Sequence, residues 1–400
     1  MKWDVEKAKN GELTLSLNDI QIYSKYHPVE AAHKFIQAEY DDSVDSYLLI
    51  GLGLGYHLKS LMNFAKGKKI IVYYFSENEL QLFKKYNVDK WWKDANVHLV
   101  HKLATFDVTT SSQVLVPSVW LKAIGKKHPL FPILEVVKIN QVSYKKFAHL
   151  LADNFLKNIK LNDNTIYSKV RQKKVACLVA AGPTLNETVH WLTKWQQKVD
   201  IYVVGAALKT LLAHNIEPKA TILSDAGEIT MQQFENANFQ GELFYLSTAN
   251  HQTVLMHKGP RYILFQKGYT LAEQQAHGGV LLETGGSVGT TTFSLLEQLG
   301  YEKVVLFGQD LGFSNQHTHA KHSPSNNEIN VGEFLRTIQA NDGSIIHTTP
   351  SLQVFKYWYD LKMQFTKVKV YNTAIKGAKI NNVSLISELQ FQHIITENSL

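Results

Sequence analysis

Twice along this chain a short apolar run stops at a glycine-rich turn and hands over directly to an amphipathic segment. That repeated pattern restricts the fold more than any bulk property, because strand, glycine turn, helix and second strand make the βαβ unit of a parallel sheet. The first block begins at Tyr47–Ile50, passes through Gly51-Leu-Gly-Leu-Gly55 and Tyr56-His57, and runs on through Leu58 to Phe64. It then enters the apolar run Ile70–Phe75, closed by Ser76-Glu77. Glycines let backbone approach a ligand, and a helix start offers free N–H groups. Glu77 stands about 22 residues beyond Gly55, where a ribose-binding carboxylate is expected.

The second block starts with Val175–Val179, then Ala180-Ala-Gly-Pro-Thr-Leu185, with a helix expected from Asn186. Strands are expected at Ile201–Val204, ahead of Gly205, at Ala220–Leu223, ahead of Ser224-Asp225, and at Leu243–Leu246, ahead of Ser247-Thr-Ala-Asn250. Glu283-Thr-Gly-Gly-Ser-Val-Gly-Thr-Thr291 opens a helix read over Thr292–Leu299, and Val304–Phe307 ends in Gly308-Gln309-Asp310. In an open α/β sheet ligands bind at the carboxyl ends of strands, where these small and polar residues gather. Between the blocks, Ser143–Lys174 reads as helix running out into Asn- and Lys-rich text. The expected organisation is a Rossmann-like domain over 1–145, a helical linker over 146–172 and a second Rossmann-like domain over 173–400 with a helical carboxy-terminal segment.

Bulk properties narrow the function. The 400 residues are 44% hydrophobic and 19% charged, with mean hydropathy −0.18, enough for large cores and unlike a disordered or fibrous chain. No apolar window is long enough for a membrane span, and the charged start MKWDVEKAKNGELTL lacks the apolar core of a signal peptide. A single cysteine, Cys177, inside an apolar strand, forms no internal disulfide, so a reducing cytoplasm is the expected compartment. The net charge of +7 favours anionic ligands. It is mostly lysine; with only Arg171, Arg261 and Arg336, no arginine-rich stripe for nucleic acid exists.

Each motif also has a plainer reading. Gly51–Gly55 is read first as a tight strand–helix turn, its alternative being a nucleotide or S-adenosylmethionine loop. Gly182-Pro183-Thr184 suits a phosphate, with proline near a helix start and a hydroxyl to hold an anion or cap the helix. Gly285-Gly286-Ser287-Val288-Gly289-Thr290-Thr291 offers glycines and hydroxyls to an anionic head group. It is not a Walker loop, since no Gly-Lys-Ser/Thr follows. Asp225 and Glu228 follow a strand, where carboxylates bind ribose, hold Mg²⁺ or take a proton, and where Asp225 also serves as a helix cap. His317, His319 and His322 read as a solvated loop rather than a metal site, one of them able to act as a general base. Phe355-Lys-Tyr-Trp-Tyr359 is mostly core, with one tyrosine free to face a ligand.

Taken together, Gly182-Pro-Thr-Leu185, Ser224-Asp225, Gly285-Gly-Ser-Val-Gly289, Gly308-Gln-Asp-Leu311, Thr318-His-Ala320 and Tyr371–Ile380 resemble the motility accessory factor (Maf) family of flagellin glycosyltransferases. The match spans roughly 170–380, and the Gly51–His57 block looks like the domain preceding it. Thr184 stands where the family commonly has serine, and any additional carboxy-terminal module is expected to be short or absent. The resemblance implies a sialyltransferase-like nucleotide-binding domain. It implies transfer of a pseudaminic, legionaminic or related nonulosonic acid from its CMP-activated form to Ser or Thr hydroxyls of flagellin. This O-glycosylation serves flagellar assembly and motility. On that reading Gly182, Pro183, Thr184, Gly205, Asp225, Ser247, Gly286, Ser287, Gly289, Thr290 and Gln309 would bind the donor. Asp310 or His319 would be the base or leaving-group partner in an inverting displacement, with no metal or other cofactor required. The oligomeric state stays open. The same domain also resembles archaeal 6-hydroxymethylpterin pyrophosphokinases, the MptE-like proteins, which would use ATP and put Mg²⁺ on Asp225 and Asp310. The remaining alternatives are a methyltransferase working through Gly51–Gly55 and a non-catalytic flagellin chaperone.

Overall fold

In the computed structural model the chain divides into two compact units, residues 1–142 and 143–400. The structure describes residues 1–101, 112–125, 128, 130–166, 175–313, 317–329 and 336–396, with the side chains of 132, 133 and 135–146 left aside.

The amino-terminal unit opens with a small antiparallel sheet, β1 (Trp3–Lys7), β2 (Leu13–Leu17) and β3 (Ile20–Gln21), which the sequence reading did not anticipate. Its main sheet is parallel: β4 (Ser46–Ile50), β5 (Lys69–Tyr73), β6 (Val97–Val100) and β7 (Ser112–Leu115), in the order β6-β5-β4-β7. That is the order 3-2-1-4, the first four places of a Rossmann sheet. Leu48, Leu49 and Ile50 are buried because helices cover a parallel sheet on its faces, so strands carry unbroken apolar runs rather than alternation. The helices Tyr56–Phe64 and Glu77–Tyr86 supply the β4–β5 and β5–β6 crossovers. Leu58, Leu61 and Phe83 from these helices join the core, each such side chain contributing roughly 1.5–3 kcal/mol by burial.

The carboxy-terminal unit is built on nine parallel strands. Six follow the domain start: β8 (Val175–Val179), β9 (Asp200–Val204), β10 (Ala220–Leu223), β11 (Glu242–Leu246), β12 (Arg261–Gln266) and β13 (Leu281–Leu282). After β14 (Lys303–Phe307) a hairpin of β15 (Arg336–Gln339) and β16 (Ile345–Thr348) stands outside the sheet, and β17 (Lys369–Asn372) and β18 (Ser384–Leu385) rejoin it. The order is β13-β12-β11-β10-β9-β8-β14-β17-β18. The chain walks one way from β8 to β13, then returns to the other side of β8, so the switch point lies between β8 and β14.

The carboxy-terminal segment therefore contributes two sheet strands besides its helices Pro350–Lys362 and Glu388–Thr396. Residues 143–166 fall in the second unit, with Phe155 and Ile166 in its core, and the Leu130–Ile159 helix occupies the first part of that segment. The rest of the expected linker, 167–172, falls outside the described residues. No helix among the described residues is long and apolar enough to cross a membrane. Cys177 is buried in β8, as its apolar surroundings predict.

Candidate functional site

Because every strand of the large sheet runs the same way, all their carboxyl ends open on one edge, and the loops carrying the sequence motifs gather there. At the switch point the turn after β8 is tied to the turn after β14. The Gly182 amide donates to the Gly308 carbonyl (2.8 Å), the Thr184 amide to Asp310 Oδ2 (2.8 Å), and the Thr184 hydroxyl to Asp310 Oδ1. A Cβ on Gly182 would sit 2.5 Å from both the Asp310 carboxyl carbon and the Gly308 oxygen, so only glycine permits this approach. Asp310 is buried, and burial pushes its carboxyl up to about 6 even though the two Thr184 donors favour the ion. Thr184, also buried, spends its hydroxyl on Asp310 instead of capping the Leu185–Trp195 helix. Pro183 is buried in the same turn.

Two further segments back this junction. The Ala378 amide donates to the Asp310 carbonyl (2.7 Å), which gives the Tyr371–Ile380 motif a bracing role. The Ala320 amide donates to the Ala181 carbonyl (2.7 Å), placing Thr318-His-Ala320 against the first turn. His319 is half-buried, with Nδ1 3.0 Å from the Thr318 hydroxyl, and desolvation lowers its pKa, so it is neutral near pH 7. His317 and His322 are exposed and point to no common centre with it. No group of three His, Cys, Asp or Glu side chains among the described residues is arranged to hold a metal.

The Gly285–Thr291 motif is half turn and half helix, since the helix begins at Val288 rather than at Thr292. Ser287 is its N-cap: the serine oxygen accepts the Thr290 amide (3.1 Å), while Thr290 Oγ1 accepts the amides of Gly285 and Ser287 (3.1 Å each). Both hydroxyls are thus engaged within the turn, as a capping box requires. The amides of Gly286, Val288 and Gly289 are left without an acceptor among the described residues, as the first turn of a helix dictates. Gly289 lies against Gln309, whose Oε1 would be 2.3 Å from a Cβ there. Tyr359 fixes the pair by donating toward the Gly289 carbonyl (3.1 Å) and Gln309 Oε1 (3.4 Å). The aromatic run at 355–359 therefore holds a tyrosine whose work is internal.

Two strands further along, Asp225 projects from the end of β10. Its side chain is solvent-exposed and makes no hydrogen bond to a described residue, yet the surrounding protein desolvates it enough to raise its pKa. Its loop is held from behind: the Asn250 amide donates to the Asp225 carbonyl (2.9 Å), and Asn154 and Asn250 donate to the Ala226 carbonyl. Ser247 is buried, its hydroxyl on Gln266 (3.3 Å) and its carbonyl on Asn158. Gly205 starts its helix facing inward, 2.4 Å from Gln233 Oε1 by its absent Cβ, so it packs rather than lines the edge. Asn154 and Asn158 were not singled out from sequence. Their signal was present as two asparagines at i and i+4 on the buried face of a helix.

The amino-terminal glycine turn behaves differently. The buried Glu79 carboxylate accepts the amides of Leu52 and Gly53 (2.8 Å each) through Oε1 and that of Phe75 (2.5 Å) through Oε2. Gly51 has Trp120 directly above it, with the indole 2.2 Å from a would-be Cβ, and Gly53 has the Tyr23 hydroxyl at 2.6 Å. Glu77, expected to meet a ribose, instead accepts from the Tyr74 hydroxyl (3.0 Å).

Comparison with known proteins fits this architecture. Residues 153–316 match the family described as 6-hydroxymethylpterin diphosphokinase MptE-like. Over its whole length the chain superposes on the structure of a Maf glycosyltransferase from Magnetospirillum magneticum AMB-1, covering 73% of that chain, at TM-score 0.54 and 12% identity. No protein of curated function matches. The class is therefore a two-unit α/β protein of Rossmann-like sheets with an MptE-like segment at its centre. Within that class the fold is the one seen in the Maf glycosyltransferase, in keeping with the resemblance carried by the motifs.

Proposed function

We propose that this chain is a glycosyltransferase that moves a nonulosonic acid from a CMP-activated donor to a Ser or Thr hydroxyl of flagellin. The reading rests on one observation. A single sheet edge carries backbone amides at Gly286, Val288 and Gly289 that have no acceptor among the described residues, suited to an anion, and an accessible carboxylate at Asp225 with no partner among them. The likeness to the Maf glycosyltransferase fold supports it. A CMP-sugar presents one phosphate and a carboxylate on its anomeric carbon, and helix-start amides suit either anion.

In the proposed reaction the bond from the anomeric carbon to the phosphate oxygen breaks, CMP departs with the electron pair, and the acceptor hydroxyl oxygen bonds to the opposite face. The hydroxyl proton goes to Asp225. Asp310 does not take that part in this scheme, because both its oxygens hold Thr184; it positions the Gly182–Thr184 turn. His319 and Gln309 flank the same junction, and no metal is assigned to the step. Intact-mass spectrometry of flagellin co-expressed with this chain and a CMP-nonulosonate pathway tests the reading. A mass increase of the sugar that disappears in Asp225→Asn supports it, and unmodified flagellin beside a folded enzyme refutes it.

The match of residues 153–316 to the MptE-like family favours one second reading, an ATP- and Mg²⁺-dependent pterin diphosphokinase. That chemistry would ask Asp310 to hold the cation, against the two donors of Thr184. ATP-dependent consumption of hydroxymethylpterin, abolished by EDTA, would establish it in place of the first.

A further inference from the structure

The amino-terminal unit carries a surface that its glycine turn does not explain. The Glu77–Tyr86 helix ends in Lys84-Lys85-Tyr86, and the following loop reads Asn87-Val-Asp-Lys-Trp-Trp-Lys93. Four lysines stand against Asp89 and Asp94 over residues 84–94, and Lys59 joins them from the neighbouring helix. All five ammonium groups are exposed, and none forms an ion pair with a described carboxylate. With Lys59 the patch holds five lysines to two aspartates, and this excess of unpaired cations raises a local positive potential.

The cluster is also aromatic and rigid. Trp91 and Trp92 pack edge-on against the buried Phe83, with ring centroids 6.0 and 5.6 Å away. Trp91 donates its indole N–H to Asn87 Oδ1 (2.9 Å), and Asn87 donates to the Leu54 and Phe83 carbonyls. Lysines lie beside these half-buried tryptophans and the exposed Tyr86: Lys59 near Trp91 (5.5 Å), Lys93 near Trp92 (6.0 Å) and Lys85 near Tyr86 (5.4 Å). At the tip Val88, 79% exposed, is an apolar residue held out into water by this framework.

We propose that this patch docks the protein on an anionic lipid bilayer. Three features favour a bilayer over an acidic protein or a nucleic acid. The cations are all lysine, point charges on flexible stems, whereas bidentate recognition of discrete carboxylates or phosphates calls for the arginine fork. Tyr and Trp rings beside lysines match the interfacial layer of a membrane, and lysine stems reach past apolar surface to the headgroups. Val88 supplies an apolar tip that a headgroup region accepts and a purely ionic partner does not use. The association is peripheral and needs no spanning helix.

Co-sedimentation of the full chain with phosphatidylcholine vesicles, with and without phosphatidylglycerol, tests the proposal. Binding is expected only with phosphatidylglycerol, and raising the salt should release it. Reversing Lys84, Lys85, Lys90 and Lys93 to Glu should lower the partition coefficient by roughly six-hundredfold or more, at on the order of fivefold per lysine. Val88→Asp should weaken binding several-fold with the lysines intact, and circular dichroism should show both variants folded. Failure to bind anionic vesicles at low salt overturns the proposal, as does unchanged binding by the charge-reversed chain. So does capture of polyglutamate or transfer RNA while vesicles are ignored.

Discussion

The two glycine-rich turns of this protein obey the same local grammar and reach opposite ends. In the amino-terminal unit the amides of Leu52 and Gly53, which would grip a phosphate, are held by the buried Glu79 carboxylate, and Trp120 and Tyr23 fill the space above the glycines. At the carboxyl edge of the large sheet the Val288–Gln298 helix satisfies its own hydroxyls in a capping box and leaves the amides of Gly286, Val288 and Gly289 without an acceptor among the described residues. A glycine turn thus states that backbone comes close to something. Whether that something is a ligand or the chain itself depends on side chains that arrive from elsewhere in sequence.

If the large sheet holds the working edge, the greatest effect belongs to Asp225. Asp225→Asn should cut transfer by about 10²–10⁴-fold, the usual worth of a positioned base. Its stability should change by less than about 0.5 kcal/mol, since the side chain is exposed and bonded to no described residue. Because the carboxyl is raised and must be ionised to take a proton, kcat/KM should climb with pH through a midpoint above the ordinary carboxylate value, then level off. An enzyme whose acidic limb sits at the ordinary value would remove Asp225 from the role.

The contrasting residue is Glu79, where the loss should fall on stability and spare donor binding. Glu79→Ala strands three buried amides, and at about 1–3 kcal/mol for each unsatisfied group the amino-terminal unit should unfold several kcal/mol more easily. Burial raises the Glu79 carboxyl to about 7 from an ordinary 4.5. The folded state then holds the proton more tightly than the unfolded one between those values, so this residue's contribution declines as pH rises through that window. Thermal melts of wild type and Glu79→Gln across that range should diverge in slope. S-adenosylmethionine or NAD, tested by thermal shift, should stabilise neither protein; a clear shift in the wild type would show that the turn is open after all.

The sequence carried β4, β5, β8 to β11 and β14, and the loops that follow them, because these rest on local signals, namely unbroken apolar runs and glycine before a helix. It did not carry occupancy. Glu77 and Glu79 are two residues apart on the first turn of one helix, and only the tertiary path of Gly51–Gly55 decides which of them meets the amides. Asp310 illustrates the same limit. Ending a strand with Gly-Gln-Asp marks it as reactive, whereas its burial and its two bonds to Thr184 span 126 positions in sequence. Ser287 and Thr290 looked like anion ligands because capping and anion binding call on the same hydroxyls. β1 to β3 escaped notice because five-residue and two-residue strands give too short an alternation to register.

Asp310 offers a smaller and sharper test of how the two regions differ, because both contain a buried carboxylate on backbone amides. Asp310→Asn keeps one acceptor for Thr184 and loses the other, so the expected destabilisation is about 1–2 kcal/mol, below that of Glu79→Ala. Its carboxyl rises from 3.8 to about 6, so the folded state binds the extra proton between those values and the Asp310 contribution to stability falls as pH rises through them. The asparagine variant should lose that slope. Hydrogen exchange gives the local readout: the Thr184 amide should exchange faster in the variant while the Leu52 and Gly53 amides keep their protection. If Asp310 only positions the Gly182–Thr184 turn, transfer should fall in step with that loosening, and the acidic limb of the rate profile, which belongs to Asp225, should stay where it was. A shift of that limb in Asp310→Asn would instead make Asp310 the titrating group and return it to the reacting atoms.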